Sequence, residues 1–250
     1  MKLVSRIASV IFLIWSLLVF IAAMILVLPF IVMISALLNG KAATNTIFFF
    51  LRTWAWTFRI LCFFRVKIKK HPAFDPGKAY IYVCNHNSYL DAIAVVIAIP
   101  NSFKPLGKVE MVKIPIFGMI YRRVVVLIDR ASKESRARSV EELKNDLANG
   151  QSILIFPEGT MNRGDKALTG FYDGAFRLAI ETQTPLAPMA ILNARNLFPR
   201  ARPFDARPGT ITCIFDEPVN VNGLAPGDLE DLKAKVYTKM EGLLQRSANT

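Results

Sequence analysis

The sequence predicts an α/β domain carried behind an N-terminal membrane-embedded helical segment, and three observations predict it. Residues 7–38 contain no charged side chain, a run longer than the roughly 20 apolar residues that cross a bilayer core as a helix. After Lys70 the texture changes to short β-rich runs alternating with helix-period patterns, as expected of a sheet with helices packed on it. The 250 residues are enough for one substantial core plus an appended segment. The expected organisation is a membrane anchor over residues 1–70 and an α/β domain over residues 71–250.

Over the whole chain, the 53% hydrophobic content and mean hydropathy of +0.35 exceed the usual globular share, so part of the surplus is expected to face lipid. Pro29 lies inside the uncharged run. It removes a donor and obstructs the preceding turn, so residues 7–38 are expected to form either an apolar helix or a re-entrant pair. Lys2 and Arg6 resemble the basic start of a cleaved signal peptide, but the apolar core of such a peptide spans only about 7 to 15 residues. Residues 46–64 carry Arg52 and Arg59 seven apart, which puts both guanidiniums on nearly one helical face. That stretch reads as an amphipathic, interfacial helix, with a second span bearing snorkelling arginines as the alternative.

Charge points to the same surroundings. No Asp or Glu precedes Asp75, whereas Lys2, Arg6, Lys41, Arg52, Arg59, Arg65, Lys67, Lys69 and Lys70 do, in a chain of net charge +12. Basic residues interleaved with apolar ones suit anionic membrane lipids better than nucleic acid, and no nucleic-acid partner is expected. Cys62, Cys84 and Cys213 have no paired spacing, and His71 and His86 are the two imidazoles. Neither a disulfide framework nor a metal site is therefore expected. A reducing environment is compatible, and the expected location is the membrane, with the α/β domain on the cytoplasmic face.

In the second part, strands are expected over residues 79–84, 124–128, 152–156, 186–192 and 210–215. Residues 132–148 form the clearest helix, with Ala137, Val140, Leu143 and Leu147 at helical spacing and Gly150 just past the end. Residues 227–245 form another, with Leu229, Leu232, Val236, Met240 and Leu243 as its apolar stripe.

Three blocks at strand ends carry the chemistry. The first strand runs into Asn85-His86-Asn87-Ser88-Tyr89-Leu90-Asp91, where four intervening residues let a carboxylate on the first helical turn reach back to the imidazole. Such a pair can deprotonate a hydroxyl near neutral pH. A turn histidine followed by an ordinary helix-start carboxylate gives the same pattern. The second block, Val124 to Arg130, delivers Asp129 and Arg130 to a strand end, where an arginine can fork onto phosphate or close a surface ion pair. The third is Phe156-Pro157-Glu158-Gly159-Thr160, in which proline stops the ladder, glycine allows close backbone approach, and Glu158 is expected to be presented rather than buried. Residues 159–166 superficially resemble a nucleotide-binding loop, but Asp165 and Lys166 stand where lysine and Ser or Thr are needed. Cys84, two residues before His86, is an alternative covalent nucleophile.

In this order, and followed by Pro185-Leu186-Ala187-Pro188, the blocks resemble the lysophosphatidic acid acyltransferase family over roughly residues 70–220. Lys108-Val109-Glu110, with Pro115 and Gly118, also resembles a family segment. The resemblance implies a glycerolipid acyltransferase fold, a mixed sheet flanked by helices, with residues 71–250 as the catalytic domain. It implies acyl transfer from an acyl thioester, on acyl carrier protein or coenzyme A, to the 2-hydroxyl of 1-acylglycerol 3-phosphate, giving phosphatidic acid. No cofactor beyond that co-substrate is implied. His86 would be the base and Asp91 its orienter, Lys108 and Arg130 the phosphate contacts, and Glu158, Gly159 and Thr160 the acceptor-positioning turn. Two departures stand out: Met161 follows the Glu-Gly-Thr turn where an arginine is frequent, with Arg163 two residues on, and Tyr172 replaces a frequent lysine. They leave open another lysolipid acceptor, such as a lyso-ornithine lipid, and a non-catalytic lipid-binding protein of the same fold.

Overall fold

The computed structural model describes residues 2–164, 166–200 and 202–246. The chain begins with a helical hairpin, α1 (Lys2–Leu37) and α2 (Gly40–Leu61), and continues into β1 (Arg65–Lys70), β2 (Ile81–Cys84), α3 (Asp91–Ala98) and β3 (Phe103–Lys108). It then forms α4 (Phe117–Val124), β4 (Val126–Ile128), α5 (Lys133–Ala148), β5 (Ser152–Ile155) and α6 (Gly174–Thr182). Last come β6 (Leu186–Leu192), α7 (Ala194–Leu197), β7 (Thr210–Phe215) and α8 (Leu229–Arg246).

The strands make one seven-stranded mixed sheet in the order β1-β7-β6-β2-β5-β3-β4. From β6 to β4 every pairing is parallel, whereas β7 runs antiparallel to β6 and pairs in parallel with β1. The carboxyl ends of β2, β5, β3 and β4 therefore share one edge. The four residues of β2 and the four of β5 are all buried, as helices on both faces of parallel strands require. Ile81, Val83, Ile153 and Ile155 face α5, α6 and α8. Tyr82, Cys84, Leu154, Ala187 and Met189 face the layer containing α1, α2 and α3.

The expected strands at 186–192 and 210–215 match β6 and β7, and the expected helix at 132–148 is α5, with the Ser132 hydroxyl accepting the Ser135 N–H at 3.0 Å as its N-cap. Two strands were not foreseen. In β1, Arg65, Lys67 and Lys69 are exposed and only Val66 is half-buried, the pattern of a charged edge strand rather than an anchor segment. Residues 65–70 thus belong to the sheet. Pro105 and Gly107 break the pattern of β3.

The apolar segment differs from one of its two expected forms. Helix α1 continues through Pro29 without turning back, so the re-entrant pair is replaced by one helix, about 54 Å long at 1.5 Å per residue. By length and composition Arg6–Leu37 can cross a membrane. It packs antiparallel on α2 through the Phe20–Trp54, Phe20–Phe58 and Phe30–Phe50 ring pairs, and it touches α4 and the 203–205 turn of the domain. Its other side exposes Ile7, Ile11, Leu18, Leu26 and Met33, an apolar stripe of the kind that marks a protein- or lipid-contacting face.

Helix α2 also departs from the interfacial expectation. Arg52 turns toward the domain: its Nη2 donates to the carbonyls of Ile99 (3.1 Å), Pro100 (2.6 Å) and Asn101 (3.1 Å). Carbonyls beyond the end of α3 have no partner within that helix, and a guanidinium supplies one. Phe48 packs edge-on against Phe103 at 4.7 Å, locking α2 onto the domain. Arg59 rests over the Trp56 ring at 4.3 Å.

Candidate active site

His86 leaves β2 at the shared carboxyl edge, where the strand hands over to α3. Asp91, the first residue of that helix, turns back over the connecting loop. Its Oδ2 lies 2.9 Å from His86 Nδ1 and accepts the backbone N–H groups of Asn87 (2.7 Å) and Ser88 (2.8 Å). Asp91 is fully buried, and its Oδ1 is buried without a partner among the described residues. A carboxylate accepting at Nδ1 holds the proton there and leaves Nε2 with its lone pair. The imidazole stacks on Phe156, centroids 4.2 Å apart, and its side chain is 24% exposed, so one side stays open to a reactant.

Three further groups hold this loop. The side chain of Asn85 accepts the N–H of Ile191 (2.7 Å) and donates to its carbonyl (2.9 Å), riveting the end of β2 to β6. Glu158, contrary to expectation, is not presented but buried. Its Oε1 accepts the His86 N–H at 2.9 Å, and its Oε2 accepts both the N–H and the hydroxyl of Thr169 at 2.8 Å. Three donors compensate the charge, which explains how a carboxylate sits in the interior. The Asn162 N–H donates to the His86 carbonyl at 2.7 Å, bringing the segment after the glycine turn over the histidine loop.

Gly159 has φ +68°, and a Cβ there would lie 2.7 Å from both Arg130 Nη1 and the Tyr172 ring. Only glycine fits this backbone without strain. Arg130 starts three strands from β2, about 14 Å away at 4.8 Å per strand. Its side chain nevertheless reaches back over the Gly159 turn, lying 5.8 Å from the Tyr172 ring centroid. Lys108 ends β3 on the same edge and is exposed, as are Thr160 and Arg163. Thus His86, Asp91, Glu158, Gly159 and Arg130 are joined by contacts, while Lys108, Thr160 and Arg163 share the edge without touching His86.

Cys84 is fully buried. Burial first, then the charges of Asp91, Cys213 and Glu158, push its thiol well above the ordinary value, so it stays protonated and is poorly suited to nucleophilic attack. Among the described residues no cluster of His, Cys, Asp and Glu forms a metal site. Asn85, Asn162 and Thr169 carry no sequence signal for these roles, because their bonds span 106, 76 and 11 residues and leave no local pattern.

The α/β sheet thus carries a carboxylate-held histidine and an arginine on its carboxyl edge, an arrangement in which an imidazole can accept a hydroxyl proton. A family model described as Acyltransferase matches residues 65–192, and the chain belongs to that family. It is 31% identical over 59% of its length to a 1-acyl-sn-glycerol-3-phosphate acyltransferase of Chlamydomonas reinhardtii, covering 44% of that relative. A namesake from Haemophilus influenzae is 27% identical, with 74% of this chain and 78% of the relative covered. The chain spans about half the length of the Chlamydomonas and Cocos nucifera relatives, 44% and 50%. The crystal structure of the 1-acyl-sn-glycerophosphate (LPA) acyltransferase PlsC from Thermotoga maritima superimposes with a TM-score of 0.81 over 98% of both chains. At 20% identity that likeness shows the fold, and it includes the helical hairpin.

Proposed function

We propose that this protein transfers a fatty acyl chain from an acyl thioester, on acyl carrier protein or coenzyme A, to the 2-hydroxyl of 1-acylglycerol 3-phosphate, giving phosphatidic acid. The observation that carries the reading is His86 Nδ1 held at 2.9 Å by the buried Asp91, on a ring that stays 24% exposed and whose Nε2 has no hydrogen bond among the described residues. As the hydroxyl oxygen attacks the thioester carbonyl, its proton passes to Nε2. Asp91 steadies the imidazolium formed. Collapse of the tetrahedral intermediate breaks the C–S bond, and the imidazolium returns the proton to the departing thiolate. No bond to the protein forms, in keeping with the buried, protonated Cys84.

In this reading Arg130 and Lys108 take the acceptor phosphate, and Gly159, Thr160 and Arg163 border the acceptor. Glu158 acts through the His86 backbone rather than on the lipid. No metal or cofactor is required. The apolar stripe of α1 would hold the catalytic edge at the membrane, on its cytoplasmic face, where acceptor and product already reside.

The test is turnover of 1-acylglycerol 3-phosphate by the detergent-purified full chain with acyl-coenzyme A and acyl carrier protein thioesters. His86→Ala is expected to lower turnover about 10²- to 10⁴-fold, and full turnover in that variant would sink the proposal. A second reading keeps the chemistry and changes the headgroup, because Tyr172 stands against Arg130 where a second cation is frequent in the resembling family. A lyso-ornithine lipid turned over faster than 1-acylglycerol 3-phosphate would favour it. Absence of turnover on every lysolipid would favour a non-catalytic lipid-binding role.

A further inference from the structure

A cleft of about 310 Å³ opens between α2 and the amino-terminal edge of the parallel strands, the edge opposite His86. Gly77 and Ala79 of its lining precede β2, Pro100 to Ser102 precede β3, and Gly150 precedes β5. The other wall is a stripe of α2 at helical spacing, Lys41, Asn45, Phe48 and Arg52. The cleft is therefore built jointly by the hairpin and the catalytic domain, and acyl transfer gives it no role.

Its charge is one-sided. The lining carries two cations and no carboxylate. Asp75, beside Gly77, commits Oδ1 to the Gly77 N–H at 2.8 Å. The cations keep donors in hand. One amine hydrogen of Lys41 goes to the Gly150 carbonyl at 2.9 Å, leaving two. Arg52 uses Nη2 on three carbonyls, whereas its Nε and Nη1 donate to no protein group among the described residues. The Asn45 carbonyl accepts the Ser102 hydroxyl, leaving the amide donors of Asn45 available. A concave site offering ammonium, guanidinium and amide donors, with no competing acid in its lining, suits a tetrahedral oxyanion.

We propose that this cleft is a second binding site, for a phosphate group, separate from the catalytic edge. The phosphate comes from an anionic lipid headgroup or from solution. A lipid source fits the position, because Lys41 sits at the α1–α2 turn, beside the segment whose outer face is apolar. Occupancy would neutralise the cations where α2 meets the loop after α3, stabilising the seating of the hairpin on the domain.

The experiment measures the Tm of the full chain in neutral detergent against inorganic phosphate and, separately, monodisperse dihexanoylphosphatidic acid. Acceptor-phosphate binding is removed with the Lys108→Ala/Arg130→Ala double variant. In that background a ligand at 100 times its Kd should raise Tm by about 5 °C or more. Adding Asn45→Asp, which keeps the acceptor for Ser102 and places an anion in the cleft, should abolish the rise. A rise with inorganic phosphate at concentrations matching the lipid identifies a free-ion site, and a rise at much lower lipid concentration identifies a headgroup site. No rise with either probe overturns the proposal, as does a rise that survives Asn45→Asp. A rise lost in Lys108→Ala/Arg130→Ala alone also overturns it, by assigning all phosphate binding to the catalytic edge. Should Asn45→Asp fail to fold, Lys41→Gln replaces it, with the same outcomes. The acyl-transfer reading stands or falls separately, on turnover of the wild type.

Discussion

Asp91 loads three hydrogen bonds onto Oδ2 and leaves Oδ1 buried and unpartnered. An asparagine there can keep its oxygen on the two backbone N–H groups, but it offers His86 no anion. In Asp91→Asn we expect kcat to fall about 10²- to 10⁴-fold, while Tm and KM for the acceptor change little. Loss of turnover through raised KM alone would show that Asp91 serves binding. The pair was legible in the sequence because both groups lie within seven residues of one strand end. The mode of action of Glu158 was not. A glutamate after a strand-ending proline reads as displayed, and only the fold reveals Thr169 closing over it. Gly159 was legible as a place of close approach, but not that Arg130 and Tyr172 are what approaches.

Among the elements, Arg52 shows how one side chain can decide what a helix does. Seven residues from Arg59 on an apolar helix, it reads as an interfacial cation, yet it ties down the carbonyls beyond α3. Arg52→Ala leaves those carbonyls without the donor that now serves them and should cost about 2 kcal/mol, lowering Tm by about 4 to 8 °C. Arg59→Ala, whose ring contact is with its own helix, should cost less. Equal losses would return Arg52 to the lipid surface. The strands divide the same way. Strand β7 carries an uninterrupted β-rich run and β6 a long apolar one despite Pro188, and both were readable. Strand β3 is held in place by its neighbours β4 and β5 despite Pro105 and Gly107, and β1 by β7 despite its charges. Pairing overrode local propensity in both.

For the whole molecule, the helical hairpin is a structural layer of the domain as well as the carrier of an apolar outer face. Phe48, Leu51, Ala55 and Phe58 of α2 are buried in the same core as Ile93 and Val96 of α3. A chain lacking residues 1–63 keeps every strand but bares that core, and one lacking residues 1–70 also loses β1. We expect both to be insoluble without detergent, with the longer deletion giving the lower Tm in detergent because β7 loses its partner strand. A soluble, cooperatively folding chain lacking residues 1–63 would show that the hairpin serves attachment alone.

The pairing of β1 with β7 also has a consequence in time. The ribosome finishes residue 70 about 140 residues before it begins residue 210, an interval of about 7 to 28 s at 5 to 20 residues per second. Throughout it the hairpin is complete while the strand beside it has no mate. The nascent chain thus completes its helices first, with its sheet edge waiting and its lysines and arginine guarding that edge against neighbouring polypeptides.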